Sequence, residues 1–495
     1  MKIKTIYHNL FGSFSNFAFL LFTGIILVPF YFKYISVDDY GIWLGGISFI
    51  SLLTVLEANI SLILTQQLAD KGTNKKPVEF SKYFSAAIVF SIFAALTIII
   101  SVFFLKDSLY NWVGSQIGSK SLFLNSFLIY SVTVALGLVC SYLGSIPQVF
   151  QKTLMPPLYN IISSFFGIVF TIYTVPIYGV LGIAIGSGIK YLILTILLSC
   201  YVFKLLNKEN IIFSFELKYL RKLIYSIGWP FVSKLLVTVS YNAQNFIVAA
   251  YITSSAVTIF DITRKLPLVA QTVVNMVGMS TFTAFSLFYS EQNNAVKENK
   301  YLDNYFSVIR FLLLTSVVGL FLLGKDFIGL WVGIDKYGGD LLFILLCITL
   351  FTDQLRVMLG QQYYAIGQFK LTSLTDAIFS LSFIILTIIL LPIYKLYGIP
   401  LASIISVIIY FILCFFAEKR NNIHLTTRLI NKSMFYDIFS VILVLIILNF
   451  VFENYLFSFT TKVFITSLII ILFSLIFGFR EKQLLHFIYK KIKSN

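Results

Sequence analysis

Five basic side chains lie within long apolar segments, where little water is available to solvate a charge. They are Lys190, Lys234, Arg264, Lys265 and Arg356. An ionised side chain in hydrocarbon is costly, so each needs a partner, a polar cavity or a ligand. Lysine and arginine bind carboxylates and phosphates through charge-assisted hydrogen bonds, and arginine suits phosphate in particular. These residues therefore predict a cavity that binds an anionic substrate.

The spacing of acids along the same segments divides the five cations into two groups. Asp261 stands four positions before Lys265, and Asp353 stands three positions before Arg356, so each pair could be a local ion pair within a helix. At this stage these pairs can be either structural or functional. The other three cations have no comparable partner, and we expect them to hold a phosphate or pyrophosphate group. They are Arg264, Lys234 and Lys190.

Uncharged and acidic polar groups accompany the cations. Glu57 stands in an apolar stretch, with Asn59 close by. A carboxyl group buried in such a stretch holds a proton more readily, so Glu57 could bind and release H⁺ or Na⁺ during a transport cycle. The alternative is a hydrogen bond that fixes helix packing. The expected polar lining of the cavity is Glu57, Asn59, Asp261, Asp353, Asn275 and Asn242.

The elements that must position these residues are transmembrane helices. Of the 495 residues, 58% are hydrophobic and only 12% are charged, and the mean hydropathy is +0.90. A soluble domain keeps about a quarter of its residues charged, so the solvent of this chain must be lipid. We therefore predict an all-α integral membrane fold of about fourteen transmembrane helices. The apolar segments lie at about 9–32, 41–65, 81–105, 121–146, 155–176, 179–204, 224–251, 256–289, 304–331, 340–364, 371–393, 397–417, 434–453 and 461–479.

The distribution of positive charge predicts the topology. Of the 37 lysines and arginines, 25 fall on the side of the N-terminus, five lie within helices and seven fall on the opposite side. Cytoplasmic loops are the positively charged ones, so both termini are predicted to be cytoplasmic. Because the positive charge follows the membrane topology, the net charge of +16 does not indicate nucleic-acid binding. The seven outer lysines are Lys33, Lys106, Lys120, Lys325, Lys336, Lys395 and Lys462.

A repeat and a basic linker predict the organisation of the chain. Tyr178-Gly179 and Tyr397-Gly398 each open a helix that is rich in small residues and ends near a basic cluster. We therefore expect two parallel repeats of six helices, followed by two additional helices. The predicted regions are an N-terminal lobe at 1–206, a cytoplasmic linker at 207–223, a C-terminal lobe at 224–418, and additional helices with a basic tail at 419–495.

Several short segments together resemble the Wzx-type polysaccharide flippases of the multidrug/oligosaccharidyl-lipid/polysaccharide exporter superfamily. Asp-Tyr-Gly-Ile-Trp at 39–43 is similar to the opening of the family's second helix. The segments 56–61, 260–266 and 329–333 resemble the middle of helix two, part of helix eight and the end of helix nine. The chain departs from the family at Ala58, where a glycine commonly follows the acid.

This resemblance implies a fold, an activity and a location. The fold would be a V-shaped bundle of two lobes in the bacterial cytoplasmic (inner) membrane. It would move an undecaprenyl-pyrophosphate-linked oligosaccharide to the outer leaflet by alternating access, for O-antigen, capsule or another surface polysaccharide. The implied partners are this substrate, membrane lipids, and functionally a polysaccharide polymerase and a chain-length regulator.

Two other transport functions stay open, and an enzyme is not expected. A lipid II flippase would share the fold and the helix count, whereas a cation-coupled drug exporter would favour an acidic or aromatic cavity. A membrane polymerase or ligase would need a large outer loop, and the outer loops here are short. The segment 319–326 is similar to a nucleotide-binding loop, but it does not follow a strand. The four cysteines lack metal-ligand spacing, so no cofactor is expected, and the coupling ion is open between H⁺, Na⁺ and none.

Overall fold

The computed structural model is α-helical over the residues that it describes. These are 3–57, 64, 68, 77–114, 120–150, 152, 154–209, 211–225, 228–290, 295–421, 424–430, 432–454 and 458–480, and none of them forms a β-strand. A helix satisfies its backbone polar groups internally, which lipid requires. The expected all-α fold is therefore confirmed.

The chain divides into two compact units, Met1–Thr258 and Ile259–Asn495. The helices of unit 1 are α1 Ile3–Tyr31, α2 Val37–Leu52, α3 Pro77–Gly114, α4 Lys120–Val149, α5 Met155–Tyr178, α6 Val180–Lys208, α7 Leu217–Tyr225 and α8 Gly228–Tyr251. A 3₁₀ turn, Leu53–Glu57, continues α2.

Unit 2 takes in most of α9, which runs from Ser254 to Ser290. Its other helices are α10 Ala295–Val332, α11 Asp340–Ala365, α12 Phe369–Tyr394, α13 Gly398–Asn421, α14 Leu425–Leu429, α15 Lys432–Asn454 and α16 Phe459–Arg480. Within the described residues, each predicted apolar segment coincides with one of these helices.

Eight stretches of the described chain are long and apolar enough to cross a membrane, and one of them, Phe369–Arg420, takes in both α12 and α13. Helices α1, α2, α8, α9 and α16 fall outside this set, although the sequence predicts crossings there; the apolar stretches Leu21–Tyr31 of α1 and Phe459–Leu472 of α16 are shorter. The polar residues of α8 and the charged group near the start of α9 lower the local hydropathy. The other seven stretches are Val78–Val113, Lys120–Val149, Met155–Tyr178, Val180–Lys208, Leu302–Val332, Asp340–Ala365 and Leu425–Phe452. The chain is a multi-pass membrane protein.

The linker between the predicted lobes contains the short helix α7, which the sequence analysis assigns to a loop. Leu223 on its apolar face is fully buried, and Tyr219 packs edge-on against Tyr83 of α3 with ring centroids 4.9 Å apart. Glu216, just before α7, pairs with Lys82 of α3 at 2.5 Å. The linker is therefore held against α3 by apolar packing and an ion pair.

The two repeats are related by a constant offset along the chain. Pro-Ile-Tyr occurs at 176–178 and again at 392–394, 216 positions later. The same offset relates the ends of α4 and α11, at Val149 and Ala365, and the ends of α5 and α12, at Tyr178 and Tyr394. It also relates the starts of α2 and α9, of α3 and α10, and of α6 and α13 to within two residues, and the ends of α1 and α8 to within four. Six helices of one repeat thus correspond to six of the other.

The turn after each Pro-Ile-Tyr shows which residues of the two repeats correspond. Gly179 and Lys395 follow it with nearly the same backbone conformation, at φ 55°, ψ −124° and φ 51°, ψ −137°. Gly182 and Gly398 then both lie against the backbone of the preceding helix, where an added Cβ would come within 2.5 Å and 2.7 Å of backbone atoms. Gly179 therefore corresponds to Lys395, and the predicted pairing of the Tyr-Gly motifs is wrong by three residues.

The two additional helices, α15 and α16, are attached to α10. Apolar side chains of α15 pack against α10 along its second half. Ion pairs fix both ends of the contact: Arg310 Nε lies 3.8 Å from Asp437 Oδ2, and Lys462 Nζ lies 2.6 Å from Asp326 Oδ2. The side chains of α15 and α16 are otherwise mostly exposed in the chain, as expected of helices that face lipid.

Candidate functional site

A cavity of about 370 Å³ lies within unit 1, between the end of α2, the middle of α4 and the first half of α6. Most of its lining residues carry a hydroxyl group, and Lys190 is the ionised side chain among them. The lining residues are Ser51, Thr54, Tyr130, Thr133, Val134, Gly137, Leu138, Ser141, Ser187, Lys190 and Tyr191.

Helical spacing brings these groups to one place. Tyr130, Thr133, Gly137 and Ser141 recur at steps of three and four, so they share one face of α4. Gly137 leaves room for Tyr191 of α6, since a Cβ there would lie 3.1 Å from the tyrosine ring. The Tyr130 ring packs edge-on against Trp43. The cavity therefore has a hydroxyl-rich wall that neighbouring side chains hold in place.

Lys190 extends from α6 about ten residues from its start, roughly 15 Å along the helix. Its stem packs against Gly167 of α5, where an added Cβ would lie 2.8 Å from the lysine Cβ. Its Nζ lies 5.3 Å from the centroid of the Tyr191 ring. Among the described residues, Lys190 forms no ion pair and no hydrogen bond. A cation–π contact compensates a charge only in part, so this ammonium group is available to an anion.

A second group of charges lies at the start of α9. Asp261 accepts from Arg264 Nη2 at 3.3 Å and from Lys265 Nζ at 3.4 Å. The Arg264 guanidinium also lies over the Phe260 ring, 4.9 Å from its centroid. Helical side chains point back towards the N-terminus, so an arginine three residues after an acid reaches it readily. The expectation that Arg264 lacks a local partner is therefore wrong.

Arg356 is buried in unit 2 between two acids. Its Nε donates to Asp353 Oδ1 at 2.8 Å and its Nη1 donates to Asp376 Oδ1 at 2.6 Å. Its guanidinium lies 3.9 Å from the centroid of the Phe379 ring and 5.6 Å from that of Tyr410. The predicted pair with Asp353 exists, and Asp376 of α12 adds a second carboxylate. Arg356 therefore joins α11 to α12.

Amide side chains connect α9 to α11 beside this cluster. Gln271 Nε2 donates to Asp353 Oδ2 at 3.2 Å, and Gln354 Nε2 donates to Asn275 Oδ1 at 2.6 Å. Both Asn275 and Asp353 thus take part in hydrogen bonds between helices of unit 2. These bonds satisfy buried polar groups and fix the packing of the two helices.

The remaining predicted site residues lie in or next to unit 1. Lys234 is exposed on α8 and forms no ion pair among the described residues. The backbone oxygen of Asn242 accepts a hydrogen bond from the Ser48 hydroxyl of α2. Glu57 ends the 3₁₀ turn after α2, but its side chain and the whole of Asn59 lie outside the described residues.

The charge balance of the predicted cations differs between the units. In unit 2, three cations are bound by three acids, so the described groups carry no excess of positive charge. In unit 1, the Lys190 cavity has a positive charge without a described acid. Among the predicted cations, Lys190 is therefore the one that lines a described cavity without a described acid beside it. The ion pairs of unit 2 are Asp261–Arg264, Asp261–Lys265, Asp353–Arg356 and Asp376–Arg356.

Lys190 is predictable from the sequence, whereas most of the hydroxyl groups around it were not among the predicted site residues. The signal was available in the spacing of Tyr130, Thr133 and Ser141, which follow one helical face. Isolated serines and threonines are common in membrane helices, because they bond to their own backbone, as Thr133 does to Ile129. The polar residues near the end of α2 indicated that this helix lines a cavity, but the packing of α2 against α4 and α6 follows only from tertiary structure.

Comparison with known proteins bears on the fold. No known protein-family model matches the chain, and no curated protein sequence matches it. A solved structure of the lipid II flippase MurJ, in an inward closed conformation, is similar with a TM-score of 0.73 and 20% identity, over 94% of this chain and 98% of that one.

Two solved transporters of the MOP superfamily are similar as well. A multidrug resistance MATE family transporter in an inward-facing conformation has a TM-score of 0.62 and 14% identity, over 80% of this chain and 94% of that one. A MOP superfamily transporter from Pyrococcus furiosus has a TM-score of 0.62 and 13% identity, over 86% and 96%. At these identities the likeness establishes the fold, which is that of the MOP transporters.

Proposed function

We propose that this chain is a flippase that moves an undecaprenyl-pyrophosphate-linked oligosaccharide from the cytoplasmic to the outer leaflet by alternating access. The product would supply O-antigen, capsule or another surface polysaccharide. The support is a MOP transporter fold together with an interior cavity whose chemistry suits an anionic, hydroxyl-rich cargo.

The Lys190 cavity is the observation that carries this proposal. Its ammonium group can bind a carboxylate or phosphate oxygen, and the surrounding hydroxyls can exchange hydrogen bonds with sugar hydroxyls. The rings of Tyr130 and Tyr191 add apolar surface beside these donors. At about 370 Å³ the cavity has room for part of such a cargo, not for the whole of it.

Lipid II translocation is the second candidate function. The lipid II flippase structure covers 94% of this chain, with a TM-score of 0.73 against 0.62 for the two transporters described beside it. Lipid II shares the polyprenyl pyrophosphate anchor, so an anion-binding cavity serves both cargoes. The two proposals differ in the sugar unit, which the fold does not specify.

A cation-coupled drug exporter is a weaker third candidate. The MATE likeness supports the fold, but a cationic drug would meet the uncompensated Lys190 charge. Like charges in a cavity disfavour binding. An exporter of this kind would need its acidic site elsewhere in the chain.

Deletion of the gene and complementation with matched variants test the proposal in the native bacterium. Loss of the flippase should leave lipid-linked repeat units on the cytoplasmic leaflet and remove the surface polysaccharide. The wild-type chain should restore it, and Lys208→Ala, an exposed change on the same helix, should do so as well. Intact surface polysaccharide after deletion, with arrested peptidoglycan synthesis, would favour the lipid II function instead.

We further propose that the termini are cytoplasmic and that translocation is driven either by H⁺ or Na⁺ or by the gradient of the substrate. Vesicles with imposed pH or Na⁺ gradients distinguish these sources, because only a coupled transporter accelerates with the gradient. The expected association with a polysaccharide polymerase and a chain-length regulator is tested by co-purification from native membranes.

A further inference from the structure

A second cavity, of about 320 Å³, lies in unit 2 at the end of α10 and the start of α11, beside α15 and α16. One part of its wall is apolar and the other part is charged. The apolar residues are Phe321, Leu322, Phe343, Ile344 and Phe452, and the polar ones are Lys325, Asp326, Tyr337, Asp340 and Lys462. Lys325 and Asp326 belong to the segment similar to a nucleotide-binding loop, which here is helical.

The charged wall contains two ion pairs. Lys325 Nζ lies 3.0 Å from Asp340 Oδ2, and Lys462 Nζ lies 2.6 Å from Asp326 Oδ2. Tyr337 donates to the other oxygen of Asp340 at 3.0 Å, and burial and this carboxylate raise the pKa of the tyrosine well above its usual range. The two positive and two negative charges of the wall therefore cancel, but each ion pair forms a local dipole.

The ion pair between Lys325 and Asp340 can be replaced by contacts to a ligand. The side chains of Lys325 and Asp340 are 54% and 62% exposed, and exposed pairs of this kind contribute little to stability. A ligand that carries both a phosphate and an ammonium group can replace both partners at once. A purely anionic ligand would instead face Asp326 and Asp340 without compensation.

The depth of the cavity in the membrane indicates that such a ligand is a lipid. The cavity lies where the apolar span Leu302–Val332 ends and the span Asp340–Ala365 begins. The ends of such spans lie at the depth of lipid headgroups. Trp331 and Tyr337 lie at the same ends, and aromatic residues of this kind are typical of the membrane interface. The apolar wall continues from the charges towards the hydrocarbon level.

We propose that this cavity binds the headgroup of a zwitterionic phospholipid. The phosphate lies between Lys325 and Lys462, the ammonium group meets Asp340 and Asp326, and the first methylenes of the lipid lie along Phe343 and Phe452. This lipid is separate from the cargo, and the site is in unit 2, whereas the Lys190 cavity is in unit 1. The proposal therefore does not depend on the proposed function.

Native mass spectrometry of the full chain tests the site. The purified protein is exchanged into detergent with equal amounts of phosphatidylethanolamine and phosphatidylglycerol. We expect the wild type to retain phosphatidylethanolamine at least tenfold better, and the variant Lys325→Met/Lys462→Met to lose this preference. Equal retention of the two lipids by the wild type would overturn the proposal whether or not any variant folds.

A matched control separates a binding site from an ordinary ion pair. Lys120 and Asp107 form an exposed pair at 2.8 Å in unit 1, with side chains 50% and 53% exposed, and neither residue lines the cavity. Lys120→Met should leave lipid retention unchanged, and an equal loss there would contradict the assignment. Free phosphoethanolamine should compete at least tenfold less well than the lipid, and equal competition would contradict a lipid as the ligand.

Discussion

At the scale of residues, the buried charges divide into those that hold helices together and one that is available to a ligand. Arg264, Lys265 and Arg356 are bound by acids of unit 2. Lys190 instead faces hydroxyl groups, with no described acid beside it. Lys190 is partly buried, and we expect a bound anion to compensate its charge.

Replacement of Lys190 is predicted to reduce transport without loss of stability. A charge-assisted hydrogen bond contributes about 1.5–3 kcal/mol, so Lys190→Met should weaken substrate binding by roughly 10- to 100-fold. Its melting temperature should match or exceed that of the wild type, because a buried charge is removed. Binding of a labelled lipid-linked oligosaccharide, with Lys208→Met as the control, measures the effect. Unchanged binding by a folded Lys190→Met variant would refute this role.

Replacement of Arg356 is predicted to have the opposite effect. Removing one partner of a buried ion pair leaves the other charge uncompensated, which costs about 3–5 kcal/mol. Arg356→Met would leave both Asp353 and Asp376 without their cation, so its thermal stability should fall sharply. Lys120→Met, which breaks an exposed pair, should leave the melting temperature nearly unchanged. Equal melting temperatures for the two variants would contradict the structural role.

Sequence predicted individual residues better than it predicted their partners. Lys190, Asp353 and Arg356 could be identified because a charge in an apolar segment is conspicuous. The partner of Arg264 was missed, because i,i+3 and i,i+4 spacings are both compatible with pairing and the rotamer decides. Asp376 lies 20 positions from Arg356, so only the packing of α12 on α11 brings them together.

At the scale of elements, small residues on α5 and α6 set the position of the Lys190 cavity. Gly182 and Gly186 of α6 face α5, where an added Cβ would meet the backbone at Val175 and the Thr171 side chain. Close approach of these helices places the stem of Lys190 against Gly167. This agrees with the packing role expected of small residues spaced four apart in membrane helices.

Replacing Gly182, or the equivalent Gly398, by a larger residue is predicted to destabilise the unit that contains it. Gly182→Ala and Gly398→Ala each force a Cβ against the backbone of the preceding helix, and overpacking of this kind costs about 1–3 kcal/mol. Gly144→Ala is the control, because an added Cβ there meets no atom within 4 Å. It should be neutral or stabilising, since alanine favours a helix. Thermal unfolding in detergent measures all three, and a Gly182→Ala variant as stable as Gly144→Ala would contradict the close packing.

The equivalence of Gly179 and Lys395 in the two repeats leads to a second prediction about the elements. Lys395 occupies a backbone conformation, at φ 51°, that glycine adopts in the equivalent turn at Gly179. Lys395→Gly should therefore relieve strain and stabilise the chain by about 1 kcal/mol, whereas Gly179→Lys should destabilise it. Melting temperatures that move in the opposite directions would contradict the equivalence of the two turns.

At the scale of the whole molecule, sequence predicted the fold class well and the internal symmetry in part. Composition requires a membrane protein, and periodic apolar segments locate the helices. The six-helix repeat was recognised from a Tyr-Gly pair, but its true register, at Pro176 and Pro392, became evident from helix ends and turn geometry. The short α7 escaped prediction because its apolar face spans only two turns.

The central claim is that the chain translocates a polyprenyl-pyrophosphate-linked oligosaccharide. Its most direct test uses vesicles that contain the purified protein and a fluorescent lipid-linked oligosaccharide placed in one leaflet. The measured quantity is the fraction of this lipid that becomes accessible from the opposite side to an impermeant quencher. We expect rapid transfer with the wild type and at least tenfold slower transfer with Lys190→Met. Transfer no faster than in protein-free vesicles, under imposed pH and Na⁺ gradients and without them, would contradict it.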